Sequence, residues 1–140
     1  MKHRTILSLM ACLCLFAAAA GAADVKVIAN PGVGASSISA DELRSVFLAT
    51  KTSLSDGSHV EPVLEKGGPA HDAFLKEYIG KTDAALETYY RSLVFTGKAS
   101  MPKTLASDAE VVAYVAKTKG AIGYVSGGTA TAGVKTLDVK

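Results

Sequence analysis

The chain predicts an α/β domain, a mixed sheet flanked by helices. Three observations carry this. Short β-forming runs alternate with amphipathic helical stretches from about residue 24 onward. The helical stretches open on a capping residue or a proline, and the last three close at or near a glycine. No internal repeat, low-complexity tract or long linker divides the chain, so residues 24–140 read as one domain.

The elements follow in order. Residues 1–23 read as a signal peptide. Lys2, His3 and Arg4 form a basic start, Ile6 to Ala20 an apolar run, and Ala20, Gly21, Ala22 and Ala23 a small-residue cleavage site. The apolar run is about 15 residues, short of the ~20 that span a bilayer. Leu9-Met10-Ala11-Cys12 is lipobox-like, so lipid anchoring at Cys12 is the alternative to cleavage. Val25 to Ala29 is a strand ending in the turn Asn30-Pro31-Gly32. Ser39 and Glu42 form a capping box for a helix burying Leu43, Val46 and Phe47. Ser53 to Ser58 is a turn around Asp56-Gly57, and Val60 to Leu64 is a strand that Pro62 places near a sheet edge. After Gly67-Gly68, Pro69 starts a helix running to Ile79, with Phe74, Leu75, Tyr78 and Ile79 as its apolar face. Gly80 stops it. Thr82 or Asp83 caps the next helix, whose apolar face is Leu86, Tyr90, Leu93 and Val94. Lys98 to Pro102 is a loop. Ser107 and Glu110 form a second capping box, Val111, Val112, Tyr114 and Val115 an apolar stripe, and Gly120 the left-handed stop. Ala121 to Val125 and Val134 to Val139 are the last strands.

Composition narrows the function. Both cysteines, Cys12 and Cys14, fall in the leader, so the mature domain is held by its core without disulfides or thiolate metal ligands. Removing Lys2 and Arg4 leaves 13 basic residues against 13 acidic ones, which argues against nucleic acid or an anionic membrane as partner. His59 and His71 are the only histidines past the leader, and neither has a helical i, i+4 partner for a metal. No Gly-x-Ser-x-Gly elbow and no complete dinucleotide fingerprint occur. The expectation is a non-enzymatic protein with no cofactor and no metal.

The run Gly120-Ala121-Ile122-Gly123-Tyr124-Val125 resembles the hinge segment of phosphate-type periplasmic substrate-binding proteins. Glu42 to Leu48, Asp56-Gly57, His71 to Phe74, Tyr78 and Leu93-Val94-Phe95-Thr96-Gly97-Lys98 follow that pattern in order, closest to its small single-lobe members. Ala49 stands where the family has a glycine. The resemblance implies one lobe of a periplasmic-binding-protein-like fold. It also implies an exported protein of Gram-negative periplasm, with a membrane permease or other envelope protein as partner in ABC-type transport.

The family's Arg-x-Asp-Gly-Ser-Gly-Thr phosphate loop falls on Leu64, Glu65, Lys66, Gly67, Gly68, Pro69 and Ala70, so its recognition side chains are missing. What remains is a loop feeding a helix start, with the N–H groups of Ala70 and His71 facing outward at its positive end. Lys66 flanks that end, while Glu65 and Asp72 oppose an anion there. Asn30, Ser36 and Ser37 lie in a second small-residue loop after a strand, where open α/β sheets bind ligands. The candidate ligand-binding residues are therefore Asn30, Ser36, Ser37, Gly67, Gly68, Ala70 and His71. The expected function is an exported binding module for phosphate or another small anion. The alternative is a periplasmic interaction or sensory-accessory protein that kept the lobe and lost the ligand site.

Overall fold

The computed structural model describes residues 25–140. The expected leader, its cleavage site, Cys12 and Cys14 lie outside the described residues. Six strands form one mixed sheet: β1 (Val25–Ala29), β2 (Ser37–Ile38), β3 (Glu61–Glu65), β4 (Lys103–Leu105), β5 (Ala121–Ser126) and β6 (Lys135–Val139). Their spatial order is β2-β6-β1-β5-β3-β4. β1 runs antiparallel to both neighbours, β5 and β6, whereas β3 is parallel to β5 and to β4. The reversal of β1 decides which loops can share a site.

The helices are α1 (Ala40–Phe47), α2 (Pro69–Phe74), α3 (Asp83–Phe95) and α4 (Asp108–Lys117). Ser39, Thr82 and Ser107 cap α1, α3 and α4 by accepting from the N–H groups of Glu42, Ala85 and Glu110. Only the hydroxyl arm of each expected capping box forms as expected. The Glu42 carboxylate turns instead to Ser55 and Lys51, and that of Glu110 accepts from the N–H of Ala106. α2 continues without a break into a wider π-helical turn (Leu75–Ile79), closed by Gly80 at φ 72°. Ala49, after α1, sits at φ 58°, a left-handed position that favours glycine.

Alternation along the strands splits the core between two faces. Val27, Leu64, Ile122 and Tyr124 pack with Leu43, Phe47, Phe74 and Tyr90 from α1, α2 and α3. Ile28, Val63 and Val125 pack with Val111 and Val115 of α4. Gly123 faces α4, and a Cβ there would meet Val111 Cγ1 at 3.0 Å, so the helix lies close against the sheet.

Two expectations are corrected, and two short strands are added. α3 buries Leu86 and Tyr90, but Leu93 is only partly buried and Val94 is 43% exposed, so the apolar stripe of its last turn is not fully covered. The short strands β2 and β4 are additions, with too few residues to show a periodicity in sequence, and β3 lies second from the edge, near it as Pro62 implied. α4 ends at Lys117 with Thr118 as its cap, so Gly120 lies one residue beyond the expected stop. Its φ of 80° is still left-handed, and a Cβ would meet the His59 carbonyl oxygen at 2.8 Å.

Candidate ligand recess

The parallel strands β3, β4 and β5 end at one edge of the sheet, where Glu65 pairs with Leu105 and β5 closes at Ser126. The loops leaving β3 and β4 feed α2 and α4. A recess of about 200 Å³ opens between them, lined by Glu65, Gly67, Gly68, Pro69, Ala70, Ala106, Ser107, Asp108 and Ser126. Two helix starts therefore converge on it. Gly68 caps α2 at φ 99° without a side-chain bond, and Pro69 occupies the first turn. Ser107 and Asp108 begin α4. Edges of this kind are where open α/β sheets hold ligands.

The most unusual group here is Glu65. By strand alternation its side chain lies on the α4 face with Val63, and the residue is 4% exposed. Its Oε1 has no hydrogen-bond partner among the described residues. Burial, then a hydrogen bond with Asp108 and the charge of Asp108, push the Glu65 carboxyl up to about 8. For Asp108, burial acts upward, but hydrogen bonds with Glu65, Ser126 and Thr129 outweigh it and hold the group below the usual carboxylate range. The Thr129 hydroxyl donates to Asp108 Oδ2 at 2.9 Å. The pair therefore favours the proton on Glu65 and the charge on Asp108.

Behind this wall, on the other face of the sheet, lies a polar chain in the core. The Glu65 N–H donates to the Tyr124 hydroxyl at 2.9 Å, and that hydroxyl donates to His71 Nδ1. With Nδ1 accepting, His71 Nε2 carries the single ring proton and donates it to Asp83 Oδ1 at 2.8 Å. His71 is 1% exposed. Tyr124 is fully buried, with the Phe74 ring stacked on it at 4.0 Å between centroids. Burial pushes its phenol well above the ordinary tyrosine range. The chain resembles an acid-base relay in composition, but every polar atom of the imidazole and the phenol is engaged in holding β3, β5, α2 and α3 together. It is an internal brace.

The structure places the expected ligand residues in three environments. Gly67, Gly68 and Ala70 line the recess. His71, one residue further, turns into the core toward α3 and faces a separate recess of about 270 Å³ with Asp83, Leu86 and Tyr90. Asn30, Ser36 and Ser37 lie away from the recess, because β1 is reversed: Asn30 follows the strand end that pairs with Ile122, near the start of β5. The Asn30 amide donates to the Val115 and Ala116 carbonyls, and its oxygen accepts from the Gly32 N–H. Ser37 is a residue of β2 paired with Asp138. The two loops are not brought together. Sequence reasoning missed Asp108, Ser107 and Ser126 as recess residues. An ionisable residue ending the apolar run Val63-Leu64 was the available signal.

No protein-family model matches the sequence, and no curated protein matches it significantly. Solved structures do resemble the fold. A phosphate ABC transporter substrate-binding protein of Clostridium perfringens, solved with bound phosphate, superposes with a TM-score of 0.65 at 14% identity, over 83% of this chain and 44% of that one. A phosphate-binding protein candidate of Planctomyces limnophilus gives 0.58 at 16% identity, over 84% and 41%. An ABC-type phosphate transport receptor of Vibrio cholerae gives 0.55 at 12% identity, over 83% and 46%. The chain spans less than half the length of these structures. Its fold is that of a lobe of the phosphate-type periplasmic binding proteins, as the hinge-like run Gly120 to Val125 implied.

Proposed function

We propose that this protein is an exported, non-enzymatic binding module whose ligand is a small anion, held at the sheet edge by the backbone amides that open α2. The observation that carries this reading is the recess itself. It lies where β3, β4 and β5 end, two helix starts face it, and its size suits a ligand of a few heavy atoms. The likeness to phosphate-binding proteins supports the same ligand class. Phosphate and a role beside a membrane permease are the finer form of the proposal. The residues offer no arginine, serine or threonine at the positions corresponding to the family loop, and Asp108 faces the recess. Binding should therefore be weak, with a dissociation constant on the order of millimolar, equivalent to about 4 kcal/mol. Calorimetric titration of the mature chain with phosphate tests this. Micromolar affinity would restore a full receptor role, and no heat at tens of millimolar would remove the anion reading.

A second reading is favoured by a separate observation. Phe95 is 92% exposed at the end of α3, with Val94 at 43% and Met101 at 52% nearby in sequence. Large apolar side chains held out this far suit a protein partner. On this reading the chain is an envelope interaction or sensory-accessory protein. Phe95→Asp should then abolish partner capture while leaving the fold and any phosphate heat unchanged. Retained capture by Phe95→Asp would count against it.

A further inference from the structure

Resting on the anion reading of the recess, we propose that its ligand is a small zwitterion, whose primary ammonium group donates to the carboxyl pair of Glu65 and Asp108. The starting point is a missing donor. Glu65 lines the recess, is 4% exposed, and has an Oε1 without a partner among the described residues. A buried acceptor left unpaired is destabilising until a donor completes it. Among the described residues, the ion pairs made by lysine and arginine are Lys51 with Glu42 and Arg91 with Glu87, and neither involves Glu65 or Asp108. Lys66 is exposed, and Lys26 directs its Nζ to the Thr129 carbonyl at 3.2 Å.

Asp108 makes the missing group a cation rather than a neutral hydroxyl. Its carboxyl lines the same recess at the start of α4, where it meets Glu65 and accepts from the Thr129 hydroxyl at 2.9 Å and from Ser126. A proton shared by the two carboxyls lies between them, so Glu65 Oε1 can only accept, and a negative charge remains on the pair. A hydroxyl would complete Oε1 but leave that charge without a counter-ion. A metal ion needs more ligands, and the described residues hold no group of three or more His, Cys, Asp or Glu side chains placed to bind one. A primary ammonium brings three N–H donors and one charge on a single atom, enough for Oε1, for Asp108 and for one further acceptor. The recess, at about 200 Å³, admits such a group joined to a small acid. The two ends of the ligand then separate by charge, the acid toward the backbone amides and the ammonium toward the carboxyls.

Taurine and propane-1-sulfonate are the probes, because both carry a sulfonate that stays ionised and they differ by an ammonium against a methyl group. Calorimetric titration of the mature chain at about pH 7 should show taurine binding about tenfold tighter or more, the gain of one charge-assisted hydrogen-bonded contact. Glu65→Met keeps the side-chain volume and removes the acceptor, and should bring the two affinities within about threefold of each other. Should that variant not fold, Asp108→Asn carries the test. It removes the charge, retains an acceptor for Thr129, and should likewise reduce the preference to about threefold or less. Equal native affinities for the two probes, or a taurine preference that a folded variant retains, overturn this inference and leave the anion recess standing. Binding of phosphate without binding of either probe does the same. No binding of taurine, propane-1-sulfonate or phosphate overturns both.

Discussion

Tyr124→Phe removes one oxygen atom and should destabilise the fold more than most single-atom changes. The hydroxyl accepts from the Glu65 N–H at 2.9 Å and donates to His71 Nδ1, and both partners are buried. Phenylalanine fills the same space against Phe74 and Phe47, so no appreciable cavity forms. The loss is then two buried polar groups without partners, each destabilising by about 1–3 kcal/mol. Partial rearrangement of the His71 ring toward Asp83 reduces the sum, giving an expected ~2–4 kcal/mol. That is a large share of the ~5–15 kcal/mol that holds a domain of this size. Urea denaturation followed by circular dichroism measures it, with an unchanged slope showing that the denatured state is unaffected. Tyr114→Phe, on the half-buried side of α4, is the control and should change stability by no more than about 0.5 kcal/mol. A Tyr124→Phe midpoint as close to native as the control's would refute the brace.

The remaining expectations are shorter. Glu65 has a folded-state value of about 8 against an ordinary 4.5, so its contribution is fully present below about pH 4.5 and is lost as pH rises toward 8. The slope reaches at most about 1.4 kcal/mol per pH unit, and Glu65→Gln should flatten it. Equal pH slopes for the two proteins would contradict the buried proton. Phe74→Ala should destabilise by about 3–5 kcal/mol, because the ring is fully buried between Tyr124 and Phe47. Leu93→Ala should fall below that range, since Leu93 is only partly buried; equal denaturation midpoints for the two variants would contradict this packing. Gly120→Val should reduce the melting temperature markedly, as its φ of 80° and the 2.8 Å approach to the His59 carbonyl both oppose a branched side chain. An unaltered melting curve would show that this loop can move aside.

Much of the fold was legible because its signals are local. Ser39, Thr82 and Ser107 announce three helix starts, Gly80 one helix end, and the apolar runs at Val25 and Ala121 two central strands. The failures are non-local. Nothing near Asn30 reveals that β1 runs against β5, yet that reversal removes Asn30, Ser36 and Ser37 from the recess. The three residues Lys103 to Leu105 carry no periodicity, and β4 forms because β3 offers its edge. Val94 follows the helical stripe but is 43% exposed, so periodicity alone misplaces it. Within the recess, Gly67, Gly68 and Ala70 were readable from the loop-to-helix pattern. Asp108 was not, since its meeting with Glu65 depends on two loops 43 residues apart closing on the same edge.

The most direct test of an anion recess at the β3–β4–β5 edge is a phosphate titration followed by backbone amide NMR at about pH 6.5. The account predicts fast-exchange shifts that saturate in the millimolar range at Gly67, Gly68, Ala70 and Ser107, with Gly32, Ser36 and Ser37 unmoved. Shifts centred on the Asn30 to Ser37 loop, or no site-specific shifts at any concentration, would contradict it.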